Sequence, residues 1–167
     1  MDIFKDALKA WGLPGSIYEM LATPFAIGNF VMDWGKYERF LIRLIADLEG
    51  RPYKEVEPEL LDGPTRGYED RLTSLRQSVE VQEICAALDE LLILHSDLVQ
   101  RRHDIVHGVW TGHDEDSRPV FKRLRKDTGI EVTRKGFAEL NEDRNQIFKA
   151  NELIVKILVK LGTMTQS

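Results

Sequence analysis

The chain has 167 residues, 43% of them hydrophobic and 31% charged, which is the balance of a folded globular protein and excludes a disordered or fibrous one. Its formal net charge of −5 provides no overall positive field for nucleic acid, so any such binding has to be local. A single cysteine, Cys85, excludes an internal disulfide and favours a reducing compartment.

The sequence shows neither a membrane span nor a secretory leader. No apolar run approaches roughly 20 residues, and the N-terminal MDIFKDALKAW has acids among its apolar residues. We therefore expect a cytoplasmic protein with no membrane association.

Helical periodicity dominates the first 107 residues. Residues 3–11 predict a short amphipathic helix, which GLPG ends, and Thr23-Pro24 predicts the start of a long helix that reaches about Glu49. Residues 51–66 are rich in proline, glycine and charge and predict a loop. A second helical pattern follows, and then a third, longer one with a heptad-like stripe: Ile84, Leu88, Leu91, His95, Leu98, Arg102 and Ile105.

The periodicity changes at Gly108. Short segments rich in β-branched and aromatic residues, separated by turn residues, predict a small antiparallel sheet or hairpin at 108–133. Thr133 is a candidate cap for a last long helix. The predicted fold is thus mainly all-α, a single-domain helical bundle with residues 1–22 as an extension and 108–133 as a β insertion.

Charged side chains interrupt two of the predicted apolar stripes. Glu38 lies in the middle of the stripe of the 24–49 helix, and Arg102 lies on the stripe of the third helix together with His95. A buried carboxylate or guanidinium needs a partner, so Glu38 and Arg102 could pair with each other or line a cleft. Alternatively, both charges reach solvent at the stripe's rim, and His95 is a hydrogen-bonded core histidine.

The stretch RRHDIVHG, residues 101–108, admits three interpretations. Basic side chains are favoured in a last helical turn, which predicts an ordinary solvated helix end. His103 and His107, four residues apart, could bind a metal if Asp104 and His113 completed the site. Finally, an arginine that holds a phosphate beside a histidine that moves a proton can cleave RNA without a metal.

The last interpretation matches a family pattern. The run Arg102 to His107 resembles the R-polar-x-x-x-H motif of the HEPN superfamily (higher eukaryotes and prokaryotes nucleotide-binding domains), and Gly108 is also typical there. WGKYERFLIRLI, residues 34–45, is similar to the family's first core helix, whose acidic residue would be Glu38. The sequence departs from the pattern at His103, where asparagine is usual.

The resemblance implies an antiparallel up-and-down bundle, commonly a homodimer, with the motif in a cleft between subunits. Many members are metal-independent endoribonucleases, often toxins or defence proteins, so it implies RNA as substrate, no cofactor or metal, and a possible antitoxin or regulatory partner. His107 would be the general acid or base, Arg102 would bind the scissile phosphate, His103 and Asp104 would orient them, and Glu38 would hold Arg102. Other members are non-catalytic modules for dimerisation or for binding a partner or nucleotide, and this alternative stays open.

A local basic patch follows the motif. RPVFKRLRK, residues 118–126, contains no acid, and we predict that Lys122, Arg123 and Arg125, together with Arg101, contact the RNA backbone. The alternative is an ordinary hairpin whose edge lysines discourage aggregation.

Overall fold

A computed structural model describes residues 10, 12, 15–62, 67–106, 109–113, 119–125, 129–134 and 137–163. The side chains at 15–21, at 137 and at most strand positions lie outside that description. Helices in the described part are α1 (Gly15–Glu49), α2 (Tyr53–Leu61), α3 (Gly67–Ser78), α4 (Gln82–Val106) and α5 (Phe137–Lys160). The strands are β1 (Val109–His113), β2 (Pro119–Arg125) and β3 (Gly129–Arg134).

The chain divides into two compact units, each made of two segments. The first unit comprises Met1–Met32 and Gln100–Arg144, and the second comprises Asp33–Val99 and Asn145–Ser167. Each of the three long helices therefore contributes one portion to each unit.

The second unit is helical in its described part and contains most of the large buried side chains that the structure describes. They come from α1, α3, α4 and α5 at helical spacing, because each amphipathic helix turns one apolar face inward. The largest fully buried ones are Tyr37, Leu41, Ile42, Leu44, Ile45, Leu72, Leu88, Leu91, Leu98 and Ile147. The prediction of a mainly helical bundle is confirmed.

The first unit combines helix portions with the three strands. Its buried side chains include Ala26 and Phe30 of α1, Ile105 of α4 and Leu140 of α5. The strands pair antiparallel in the order β1-β2-β3, so β2 is central. The backbone of Phe121 lies opposite those of Trp110 and Thr133.

The first long helix begins earlier than predicted. α1 runs from Gly15, and Pro24 lies inside it rather than at its start. Proline removes one backbone hydrogen bond, but buried residues on both sides of it, such as Ala22 and Ala26, keep the helix continuous.

The predicted loop at 51–66 contains a helix. α2 spans Tyr53–Leu61 despite Pro58, and it buries Val56 and Leu60 four residues apart. This short segment is helical because its apolar side packs within the second unit. The local sequence does not reveal that packing.

The inward stripe of α1 differs in part from the row that the periodicity predicts, which is Val31, Trp34, Glu38, Leu41, Ile45 and Leu48. Trp34, Leu41 and Ile45 are buried as predicted. Phe30, Trp34 and Tyr37 are buried, whereas Val31 is 47% exposed and Glu38 is half-exposed. Both rows follow three- and four-residue steps, so periodicity alone could not separate them. No described helix is both long and apolar enough to cross a bilayer.

Candidate functional site

The predicted motif begins in the last turns of α4. Ile105 is buried and anchors this helix end in the first unit, while Arg101, Arg102, His103 and Asp104 are half-exposed. A single inward isoleucine among polar neighbours is the pattern of an amphipathic helix end. Charged and imidazole groups are thus held at the surface by a buried apolar residue.

Arg101 is engaged by an acid from another helix. Its Nη1 donates to Oδ1 of Asp143 at 2.5 Å, joining the end of α4 to the first part of α5. The Asp143 side chain is only 2% exposed, whereas that of Arg101 is 32% exposed. A nearly buried carboxylate needs such a charge-assisted hydrogen bond, so this pair stabilises the first unit.

Asp143 is a residue that the sequence interpretation missed. Helical spacing predicts an inward stripe through Leu140, Arg144 and Ile147 for the last helix, yet Asp143 is 1% exposed and Arg144 is half-exposed. The signal was present, because Asp143 also lies three residues after Leu140 and four before Ile147. Spacing alone does not favour it over Arg144, because an aspartate at a core position is unusual.

Asp104 has a partner on its own helix. Its Oδ1 accepts a hydrogen bond from Nε2 of Gln100 at 3.0 Å, across one helical turn. This contact holds the carboxylate of Asp104, which follows Arg102 and His103 in the sequence. The predicted role of Asp104, orienting the arginine and histidine, remains a prediction.

The second half of the motif lies outside the described residues. This applies to His107 and Gly108, and also to Arg118 and Lys126 of the basic patch. The convergence of Arg102 and His107 therefore stays a prediction.

The basic patch is described only in part. The Lys122 side chain is exposed on the central strand. Arg123 and Arg125 lie in β2 with their backbones opposite Glu131 and Gly129 of β3, and their side chains are outside the description. Contact of these three residues with RNA remains a prediction.

Glu38 belongs to the second unit, whereas Arg102, His103 and Asp104 belong to the first. The structure gives Glu38 a half-exposed position beside the fully buried Tyr37. The pairing of Glu38 with Arg102 is a prediction that these observations do not address.

His95 is a hydrogen-bonded core histidine. It is 1% exposed, and its Nδ1 lies 2.8 Å from the hydroxyl of Tyr37. Burial lowers the pKa of His95 to about 4, so the imidazole is neutral at pH 7. Burial also raises the pKa of Tyr37, so its hydroxyl stays protonated and donates to Nδ1 when the imidazole proton is on Nε2.

The metal alternative finds no ligand cluster in the part of the chain that the structure describes. No three histidine, cysteine, aspartate or glutamate side chains there are close enough to share an ion. His107 and the side chain of His113 fall outside that part. The predicted set of His103, His107, Asp104 and His113 is therefore not addressed.

No model of a known protein family matches this chain, and comparisons with curated proteins and with solved structures returned no significant match.

Proposed function

We propose that this protein is a metal-independent endoribonuclease of HEPN type, with Arg102 and His107 as the reacting pair. Arg102 binds the scissile phosphate and stabilises the charge that develops on it. His107 either accepts the proton of the 2′-hydroxyl or donates a proton to the leaving 5′-oxygen. The 2′-oxygen bonds to phosphorus as the bond to the 5′-oxygen breaks, which leaves a 2′,3′-cyclic phosphate.

The observation that carries the proposal is the arrangement of the last turns of α4. The charge of Arg101 is compensated by Asp143, and Asp104 is bound by Gln100. Arg102 and His103 are half-exposed in the same turns, next in sequence to His107. A guanidinium that cannot deprotonate is half-exposed at the end of this helix, where a phosphate oxygen can reach it.

A second subunit, Glu38 and the basic patch complete the proposed site. The protein acts as a homodimer, whose twofold axis brings two motifs to one cleft, and Glu38 positions Arg102. The 108–133 β insertion uses Lys122, Arg123 and Arg125 to bind the RNA backbone, with Arg101 at its margin. A cytoplasmic toxin or defence protein of this kind would be controlled by an antitoxin or regulatory protein.

The test is cleavage of a mixed RNA by purified protein in EDTA. We expect wild-type protein to cut and to leave 2′,3′-cyclic phosphate ends. Arg102→Ala and His107→Ala should each reduce the rate by about 100-fold or more, because each removes a group that acts in the transition state. The measurement is the initial rate from end-labelled RNA on a gel.

His113→Ala is the matched control, since it removes a histidine outside the motif and should cut normally. A chimeric strand with a 2′-deoxy sugar at the cleavage site should resist the enzyme. Normal cleavage by folded His107→Ala protein would show that the assigned mechanism is wrong. A folded wild-type dimer that cuts no RNA would favour the alternative, a non-catalytic dimerisation or partner-binding module.

A further inference from the structure

A cationic groove lies in the second unit, away from the motif in sequence. Its volume is about 630 Å³, and its described lining consists of Lys36, Arg39, Phe40, Arg43, Tyr53 and Thr163. No acidic side chain is among these, although the whole chain has a net charge of −5. The lining is therefore positively charged, although the chain as a whole is negatively charged.

The cations form one row along α1. Lys36, Arg39 and Arg43 are three and four residues apart, so they share a helical face with roughly 5–6 Å between neighbouring Cβ atoms. Lys36 and Arg43 contact Asp33 and Asp47 of the same helix, but their side chains remain 68% and 48% exposed. The carboxylates are only 7% and 11% exposed, so these pairs persist, and the exposed parts of Lys36 and Arg43 remain accessible to an incoming anion.

Arg39 is the most available cation of the row. It is exposed, and among the described residues it has no hydrogen-bond or ion-pair partner. An unpaired guanidinium presents its donors in a planar fork that fits the oxygens of a phosphate.

Aromatic rings supply the rest of the lining. The hydroxyl of Tyr53 donates to Glu57 at 2.8 Å, which fixes the ring, and Phe40 lies between Arg39 and Arg43 on the sequence of the same helix. Both rings are half-exposed, so their faces can be reached from solvent. A flat apolar group can stack on such a surface.

We propose that this groove binds single-stranded nucleic acid, with consecutive phosphates on Lys36, Arg39 and Arg43 and an unpaired base against Tyr53 and Phe40. A row of cations beside aromatic side chains is the combination that single strands require. A duplex would keep its bases stacked away from the rings. An acidic peptide would satisfy the cations and leave the rings without a flat partner.

The first test uses a fluorescein-labelled hexamer of deoxyadenosine, which lacks the 2′-hydroxyl and so cannot be cut by the proposed reaction. Binding is measured by fluorescence anisotropy. Arg39→Glu should weaken binding by about tenfold or more, whereas Lys54→Glu, an equal charge change at an exposed site outside the groove lining, should weaken it by less than about threefold. Three phosphate contacts predict a slope of about −2 for log K against log salt, falling to about −1.4 in Arg39→Glu protein.

The second test separates stacking from charge. Tyr53→Ala should weaken binding of the hexamer by about tenfold, but leave binding of an abasic strand with the same phosphates unchanged. Circular dichroism confirms that each variant is folded.

Three results would overturn the proposal. The first is an equal loss of affinity in the Arg39→Glu and Lys54→Glu proteins. The second is binding of hexaglutamate as tight as that of the hexamer, which would assign the groove to an acidic protein partner. The third is a dissociation constant of the wild-type protein for the hexamer above about 1 mM. The groove and the cleavage site are tested by different readouts: the groove by the difference in hexamer affinity between the Arg39→Glu and Lys54→Glu proteins, and the cleavage site by the rate of RNA cutting. Failure of either proposal is therefore visible separately.

Discussion

The side chain of His95 shows how a single polar residue is accommodated in an apolar core. It occupies a heptad position between Leu91 and Leu98, all three with almost no exposure. The hydroxyl of Tyr37 satisfies Nδ1, and the rings of Tyr37 and Tyr68 lie 5.9 and 6.0 Å from the imidazole. Among the described residues Nε2 has no hydrogen-bond partner. Protonation of the ring would therefore place a positive charge in the core with no acceptor for Nε2–H among the described residues.

The stability of the protein should consequently depend on pH through His95. Its pKa is about 4 in the folded state and about 6.5 when unfolded, so the unfolded state binds more protons between these values. The free energy of unfolding should be constant above pH 6.5 and should fall as the pH decreases towards 4, by as much as about 3 kcal/mol. Urea unfolding at a series of pH values measures this slope.

His95→Gln should flatten the slope between pH 6.5 and 5, a range in which few carboxylates titrate. His103→Gln serves as the control, because His103 is half-exposed, and should keep the wild-type slope. An unchanged slope in folded His95→Gln protein would contradict the assignment.

At the scale of elements, side-chain ion pairs connect neighbouring helices of the second unit. Glu49, Arg51, Glu59 and Arg71 form a cluster that connects the end of α1 with α2 and α3. The two arginines hold the pKa of Glu59 at about 2, so the carboxylate stays ionised. α2 has nine residues and an internal proline, a length at which an isolated helix is unstable. Its contacts with neighbouring elements are what make it helical.

The Arg101–Asp143 pair has the same role between α4 and α5, and Asp143→Asn tests it. The substitution leaves the partly buried guanidinium of Arg101 without its counter-charge and should lower the free energy of unfolding by about 1–3 kcal/mol. Chemical denaturation measures the change.

Glu139→Gln is the matched control, an exposed carboxylate in the first turn of the same helix. It should cost no more than about 0.5 kcal/mol, through a weaker interaction with the helix dipole. Equal losses of unfolding free energy in the two variants would mean that the Arg101–Asp143 pair does not stabilise the protein more than an ordinary surface carboxylate does.

At the scale of the whole molecule, burial among the described residues is greatest in the second unit. Of the large, fully buried side chains that the structure describes, most belong to this unit, including Leu41, Leu88 and Leu91. Hydrophobic stabilisation rises with the apolar area removed from water, so this unit should contain the slowest amide exchange of the chain.

A pair of substitutions on α4 tests this distribution. Leu88 is fully buried, whereas Ile93 on the same helix is 74% exposed. Leu88→Ala should lower the free energy of unfolding by about 2–5 kcal/mol, since it leaves a cavity in the core. Ile93→Ala should change it by less than about 0.5 kcal/mol, as expected for a surface site. Similar losses in the two variants would contradict the assigned packing.

Some of the candidate site residues can be found from the sequence, whereas others depend on where the fold places them. The motif of Arg102, His103 and Asp104 was visible in the sequence, and the structure places these side chains half-exposed at a helix end. Asp143 and the groove around Arg39 were not found, because both depend on which residues of separate helices meet. The HEPN resemblance and the cleavage chemistry stay predictions.

The sequence by itself determined the helical class and the inward face of α4, because a long heptad-like repeat of leucines permits one buried side only. It determined the inward face of α1 only in part, since Trp34, Leu41 and Ile45 are buried as predicted but Val31 and Glu38 are not, and it did not predict the helix at Tyr53–Leu61. It also could not provide the partner of His95, since Tyr37 is 58 residues away along the chain. Tertiary structure decided these points, because burial and hydrogen bonding between distant segments outweigh the small differences in local preference.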